Sequence, residues 1–248
     1  TSNHHRTLAA ALHAIEEGRI KRLLVCEPPR HGKSLLISQL FPCWFLGRHP
    51  QANIIQSGYS HEIAMYHSRL ARRFFGPERF RRVFPEDLCL RVPSAADVNV
   101  DPMRQLAHEW GTVQGGRYYA VGVGGGLTGR GADLLILDDP LKNREEANSP
   151  VIRQRVLDWY KSTFYTRLTP DGRIIIVMTR WHAHDLAGTL LSEMEAGGER
   201  WTVLKCPAIN ERGEALWPSK WPIELLLEKK RAIGSVEFEA LYQQEPRI

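Results

Sequence analysis

Residues 27–34 read Glu-Pro-Pro-Arg-His-Gly-Lys-Ser, and residues 134–139 read Leu-Leu-Ile-Leu-Asp-Asp. The first is a phosphate-binding loop, and the second is an apolar strand ending in paired carboxylates. In this order, each at the end of a buried strand, they are the minimum set for hydrolysing a nucleoside triphosphate around Mg2+. Lys33 is placed to reach the β- and γ-phosphate oxygens and Ser34 to ligate the metal. The free N–H groups and positive dipole end of a helix opening at Lys33 and Ser34 would hold the phosphates. The loop departs from the usual pattern, because Glu27 stands where a glycine normally opens it. Pro28 and Pro29 carry no N–H. The donors must then come mainly from His31, Gly32, Lys33 and Ser34, with Arg30 adding charge beside the phosphates and offering a local sensor.

At the end of the second motif, Asp138 is expected to hold Mg2+, directly or through water. Asp139 stands where many such enzymes place a glutamate that orients and deprotonates the attacking water; being one methylene shorter, it needs the water closer. A glycine-rich run, Gly122 to Gly131, precedes this strand. A superficial dinucleotide fingerprint can be traced in it, but the run leads into a strand rather than out of one into a helix, which excludes a Rossmann reading. A loop presenting Arg130 fits better. An arginine so placed can stabilise charge on the γ-phosphoryl, in its own subunit or a neighbour's, typically by ~10³–10⁵ in rate; the structural alternative is an arginine bonding loop carbonyls. A third apolar strand, Arg173 to Met178, is followed by Thr179-Arg180-Trp181-His182. Thr179 is the candidate γ-phosphate sensor, with Arg180 as the alternative. His182, His184 and Asp185 are metal ligands on paper, but no further Cys or His cluster supports them. Asp185 fits better as the cap of a helix running from Leu186 through Met194.

The elements that must position these groups can be traced by periodicity. Lys21–Cys26 ends in a short apolar run suited to a buried strand. After the loop, Leu35, Leu36, Leu40, Trp44 and Phe45 recur at helical spacing, and Pro42 predicts a kink or an early end. A helix over His4–Glu17 leads into the loop strand, and either His4 or His5 is within reach of the adenine or serves as a cap. Asn53–Gln56 reads as a strand and Ser60–Phe75 as an arginine-rich helix. Residues 85–105 read as an irregular excursion, and 108–113 with 117–121 as a hairpin. Pro150–Leu168 is expected to be helical, with Val151, Val156, Trp159 and Phe164 inward. Trp201–Cys206 is a late strand, and helices around 223–232 and 235–243 are candidates for a lid over the nucleotide. Strand–helix alternation with ligand groups at strand C-termini predicts an α/β fold, an open and mostly parallel sheet covered by helices.

The 248 residues, 43% of them hydrophobic, suffice for one well-buried α/β domain with a small appended subdomain. We expect a core over about 1–205 and a lid or linker over about 206–248. Cys26, Cys43, Cys89 and Cys206 are isolated, which suits a reducing cytoplasm, and no apolar run is long enough for a membrane span. The net charge of +5 is modest. Arg69, Arg72, Arg73, Arg79, Arg81 and Arg82 nevertheless crowd one region, interrupted by Phe74, Phe75 and Phe80. This is either a solvated helix face or a contact to a phosphate backbone or another subunit.

Four ordered blocks carry a resemblance: Pro-Pro-Arg-His-Gly-Lys-Ser, Thr-Gly-Arg-Gly-Ala-Asp-Leu-Leu-Ile-Leu-Asp-Asp-Pro, Thr-Arg-Trp-His-Ala-His-Asp-Leu-Ala and Leu-Tyr-Gln-Gln-Glu-Pro. Together they resemble the large terminase subunit of tailed bacteriophages, from His4-His5 to Pro246. The resemblance implies a P-loop ATPase of the additional-strand type, with the third-motif strand between the other two. It implies an ATP- and Mg2+-dependent motor that translocates double-stranded DNA into a procapsid in the host-cell cytoplasm. Such motors form rings on the portal protein, work with a small terminase subunit, and place an arginine just before the second motif that acts on the neighbour's ATP, a role carried here to Arg130. Family members usually continue into a nuclease domain. This chain, from Thr1 to Ile248, is expected to be the ATPase domain alone and to lack nuclease activity. Two other readings compete: a nucleotide-binding assembly switch with poor hydrolysis alone, and a helicase-like DNA repair ATPase on the same core.

Overall fold

A computed structural model describes residues 2–74, 82–84, 105–112 and 114–247. Helix α1 (Asn3–Glu16) leads into β1 (Arg22–Cys26), and a π-helical stretch over Leu35–Leu40 runs on into α2 (Phe41–Arg48). β2 (Asn53–Gly58) and α3 (His61–Phe74) follow, then β3 (Gln105–Leu106), β4 (Glu109–Gly111), β5 (Arg117–Gly122) and β6 (Ala132–Asp138). The second half holds α4 (Arg144–Asn148), α5 (Pro150–Trp159), β7 (Leu168–Met178), α6 (Leu186–Glu195), β8 (Thr202–Lys205), α7 (Ile223–Ile233) and α8 (Ser235–Leu241).

The strands form one sheet in the order β3-β4-β5-β2-β6-β7-β1-β8. From β5 to β8 every neighbour is parallel, and β3 and β4 add antiparallel pairings at one edge. β7 lies between β1 and β6, the additional-strand order. Because helices cover both faces, the central strands are continuous apolar runs whose residues alternate between two cores. Leu23, Val25, Leu134, Ile136, Ile175 and Val177 pack with α1, α2 and α3. Leu24, Cys26, Leu135, Leu137, Ile174 and Ile176 pack with α5 and α6 on the other face. A third, smaller cluster gathers Ala208, Leu226, Phe238 and Tyr242 near the C-terminus.

At Pro42 the helix changes character: a π-helical stretch ends at Leu40 and α2 begins at Phe41 with Pro42 in its first turn, where its missing N–H is tolerated. One expectation is corrected. Val151 is 75% exposed while Val156, Trp159 and Phe164 are buried. At 100° per residue, Val156 and Trp159 lie about 60° apart, whereas Val151 stands about 140° from Val156 and off that stripe. The irregular excursion falls almost wholly outside the described residues, as do Arg79, Arg81, Phe75, Phe80 and Cys89. Among the described arginines of that region, Arg69 and Arg73 are exposed on α3, whose inward residues are Ala64, His67, Ser68 and Ala71. No described helix is long and apolar enough to cross a membrane.

Candidate active site

The parallel strands deliver their C-terminal ends to one sheet edge. Cys26 pairs with Met178 and Asp138 with Val177, so the phosphate loop, the acid pair and Thr179 all start at nearly the same level. Leu134 to Leu137 are fully buried, each burial contributing roughly 1.5–3 kcal/mol. A one-residue slip would turn each of these side chains to the opposite face and misplace both aspartates.

Lys33 opens the helix after the loop, and its side chain is almost fully enclosed. Its ammonium donates to Thr179 Oγ1 at 2.7 Å and lies 3.2 Å from Asp139 Oδ2. Burial by itself would lower the lysine pKa, but Asp139, then Asp138 and Glu27, raise it above the ordinary value. Asp139 takes a left-handed conformation at φ +44°, which aspartate tolerates better than most residues. It is held there by the Thr179 N–H, which donates to its other carboxylate oxygen at 2.7 Å. Its carboxylate remains 31% exposed, open to an incoming ligand.

Asp138 is the buried member of the pair. Ser34 Oγ donates to its Oδ1 at 3.2 Å and Ser38 Oγ to its Oδ2 at 2.6 Å. His67 Nε2 stands 3.6 Å away, with Gln39 on its other ring nitrogen at 3.1 Å. Desolvation, followed by the charge of Asp139, raises the Asp138 pKa, while His67, Lys33 and Ser38 oppose the shift. Ser34 and Asp138 together are an oxygen-only donor pair. That fits Mg2+, which commonly takes one or two protein oxygens and completes its shell with phosphate and water. Ser38 and His67 were missed from sequence. Ser38 was findable, since it follows Ser34 by about one turn; His67 carries no local signal, because its partner lies on a strand 71 residues away.

Glu27 is fully buried. One carboxylate oxygen accepts the Lys33 backbone N–H at 2.9 Å and the other has no partner. Burial pushes its pKa up from 4.5 to about 7, with Lys33 opposing. A carboxyl whose pKa is raised on folding weighs against the folded state once pH exceeds its unfolded value. The penalty is absent below pH 4.5, grows between 4.5 and 7, and is complete above 7; a shift of this size is on the order of 3 kcal/mol. Glu27→Gln should therefore raise the melting temperature at pH 8 and leave it nearly unchanged at pH 4.5. Equal effects at both pH values would contradict the assignment.

The other candidates fall in different places. Arg30 is exposed, at φ +63°. The His31 ring is buried, facing the Pro29 carbonyl through Nδ1 at 2.9 Å, with a pKa lowered by burial to about 4. Gly32 sits at φ +112°, and a Cβ there would lie 2.7 Å from His5 Nε2, so only glycine fits. The Arg180 guanidinium, the alternative sensor, is paired with Asp185, Nε donating at 2.9 and 3.0 Å. Asp185 also caps α6 through the Gly188 N–H at 2.9 Å, leaving no free carboxylate for a metal with His182 and His184. Arg130 is not brought to the site. It pairs bidentately with Glu109 at 2.9 and 3.1 Å and covers the Tyr119 ring at 3.9 Å. It precedes β6, whose length sets it roughly 20 Å from Asp138.

The family described as the N-terminal part of the T4-like large terminase subunit matches residues 24–245. The chain belongs to this family of large terminase subunits. It is the ATPase domain that drives DNA packaging in bacteriophages. Among solved structures, the ATPase domain of the Thermus phage P74-26 large terminase superposes with a TM-score of 0.59 at 17% identity, covering 94% of this chain and 92% of that one. An arginine-to-alanine mutant of that domain gives 0.58 at 17%, covering 95% and 93%. The HK97 bacteriophage large terminase gives 0.49 at 16%, covering 91% of this chain and 47% of that one. A comparison with curated proteins finds no match.

In this terminase domain the Leu-Tyr-Gln-Gln-Glu-Pro block ties the C-terminal segment to the site. The buried Gln244, at φ +60°, accepts the Arg180 N–H at 3.1 Å, one residue beyond Thr179. Gln243 exchanges two hydrogen bonds with the Ile209 backbone at 3.1 and 2.9 Å. Arg144, just after the acid pair, reaches Glu237 on α8 at 2.5 Å and donates to the Trp181 carbonyl.

Proposed function

We propose that this terminase domain hydrolyses ATP with Mg2+ and that the cycle drives double-stranded DNA into a procapsid from a ring seated on the portal protein. The convergence of Lys33, Ser34, Asp138, Asp139 and Thr179 at one sheet edge is the observation that carries this reading. On binding, the loop N–H groups take the β- and γ-phosphates, and the Lys33 ammonium turns from Asp139 and Thr179 toward the γ-phosphate. Ser34 and Asp138 would hold Mg2+, which neutralises charge on the bridging and terminal oxygens when bound. Released from Lys33, Asp139 orients a water and takes its proton as the oxygen attacks phosphorus; the bond to the β–γ bridging oxygen breaks, and ADP is the leaving group. Thr179 registers the loss of the γ-phosphate, and Arg180 N–H with Gln244 passes it to residues 206–248, which we assign as the lid or linker of a single 1–248 ATPase domain. The small terminase subunit and the DNA are further partners, and the exposed Arg69 and Arg73 suit a phosphate backbone.

Arg130 completes the site of a neighbouring subunit. Its distance from its own phosphates supports action in trans, once the guanidinium leaves Glu109. Arg130→Ala and Lys33→Ala should each be inactive alone, whereas an equal mixture should regain activity, because about a quarter of the ring interfaces then join an intact loop to an intact arginine. No recovery at any mixing ratio would exclude the trans role. A switch that binds nucleotide but turns over poorly alone is the second reading. It is favoured by Glu27 occupying the Lys33 N–H in the free chain. Tight ATP binding without turnover at any protein concentration would select it.

A further inference from the structure

The outer side of the phosphate loop is held by donors from both ends of the chain. The Arg30 carbonyl accepts from Lys220 Nζ at 3.1 Å and from Trp221 Nε1 at 3.4 Å. The His31 carbonyl faces His5 Nε2 at 2.8 Å and His4 Nε2 at 3.0 Å. The Ser2 N–H approaches His5 Nδ1 at 3.4 Å, which leaves the ring proton on Nε2. His4 Nδ1 lies 3.2 Å from the Leu216 carbonyl, joining α1 to the segment that carries Lys220.

In a planar trans peptide, the C=O of one residue and the N–H of the next point in opposite directions. Holding the Arg30 and His31 carbonyls outward therefore turns the N–H groups of His31 and Gly32 toward the inside of the loop. These are scarce donors. Pro28 and Pro29 have none, and the Lys33 N–H is already taken by Glu27. Arg30 is in the left-handed region that non-glycine residues rarely adopt, so the peptide after it needs such an anchor. Aromatic rings close the same side: Trp221 stacks on His31 at 5.7 Å, and Trp217 meets His5 edge-on at 4.5 Å.

We infer that Lys220 and Trp221, with His4 and His5, are positioning residues that shape the phosphate nest from outside by fixing the direction of two peptide dipoles. The inference rests on the ATP-site reading and deepens it. The test is Lys220→Met combined with Trp221→Phe in the 248-residue chain, with affinities measured for Mg·ATP and for inorganic triphosphate with Mg2+. Both dissociation constants should rise by the same factor, about tenfold for two lost hydrogen bonds. The nucleotide-free melting temperature should fall by no more than two exposed hydrogen bonds warrant, and Lys220→Arg, which keeps a donor, should bind as the parent does. If only ATP binding weakens, these side chains serve the base and the inference is overturned. If the parent binds both ligands and the double variant is unaffected, the inference fails alone. A parent that binds neither overturns the ATP-site reading and this inference with it.

Discussion

Lys33→Ala should abolish ATP turnover, by about 10²–10³-fold or more, the scale of removing a preorganised group from a developing anion. The ammonium is the cation that faces both aspartates, and its side chain is almost fully enclosed. Its removal leaves Asp138, Asp139 and Glu27 without the charge that offsets them. The triphosphate would add further negative charge to the same edge, so affinity should fall along with rate. Steady-state phosphate release, checked against an unchanged far-ultraviolet circular dichroism spectrum, reads the effect. Undiminished hydrolysis in a folded variant would sink the phosphate-loop assignment.

Asp139→Asn should separate binding from chemistry. The asparagine carbonyl can still accept the Thr179 N–H, so the geometry of the strand end survives. What disappears is the ability to take a proton from water, a contribution of ~10²–10⁴ in rate. Mg·ATP binding should persist, because the metal pair is Ser34 and Asp138, with Asp138 oriented by Ser38 independently of Asp139. Loss of binding instead would assign Asp139 to the metal.

The readable part of this site was the part written at strand ends. Cys26, Asp138 and Met178 each close an apolar run, and buried parallel strands in register must bring their ends together. The hairpin and the Asp185 cap were legible because both are local. Arg130 shows the limit of that reasoning. It stands eight residues before Asp138, yet the intervening strand turns those residues into the full height of the sheet. Glu27 was visible only as a departure from a glycine; that its carboxylate folds back onto the Lys33 N–H depends on tertiary packing. Lys220 and Trp221 lie about 190 residues from the loop they hold, and their composition is that of any surface turn. Val151 misled because it shares the chemistry of the inward residues but not their angle.

The most direct test of the account is phosphate release per molecule of this domain over a wide range of protein concentration, with Mg·ATP saturating. If a neighbour's Arg130 completes each site, specific activity should climb with concentration and then level off, and Arg130→Ala should stay low throughout. Specific activity that is flat with concentration and insensitive to Arg130 would contradict it, and would return the search for an essential cation to the chain's own exposed Arg30.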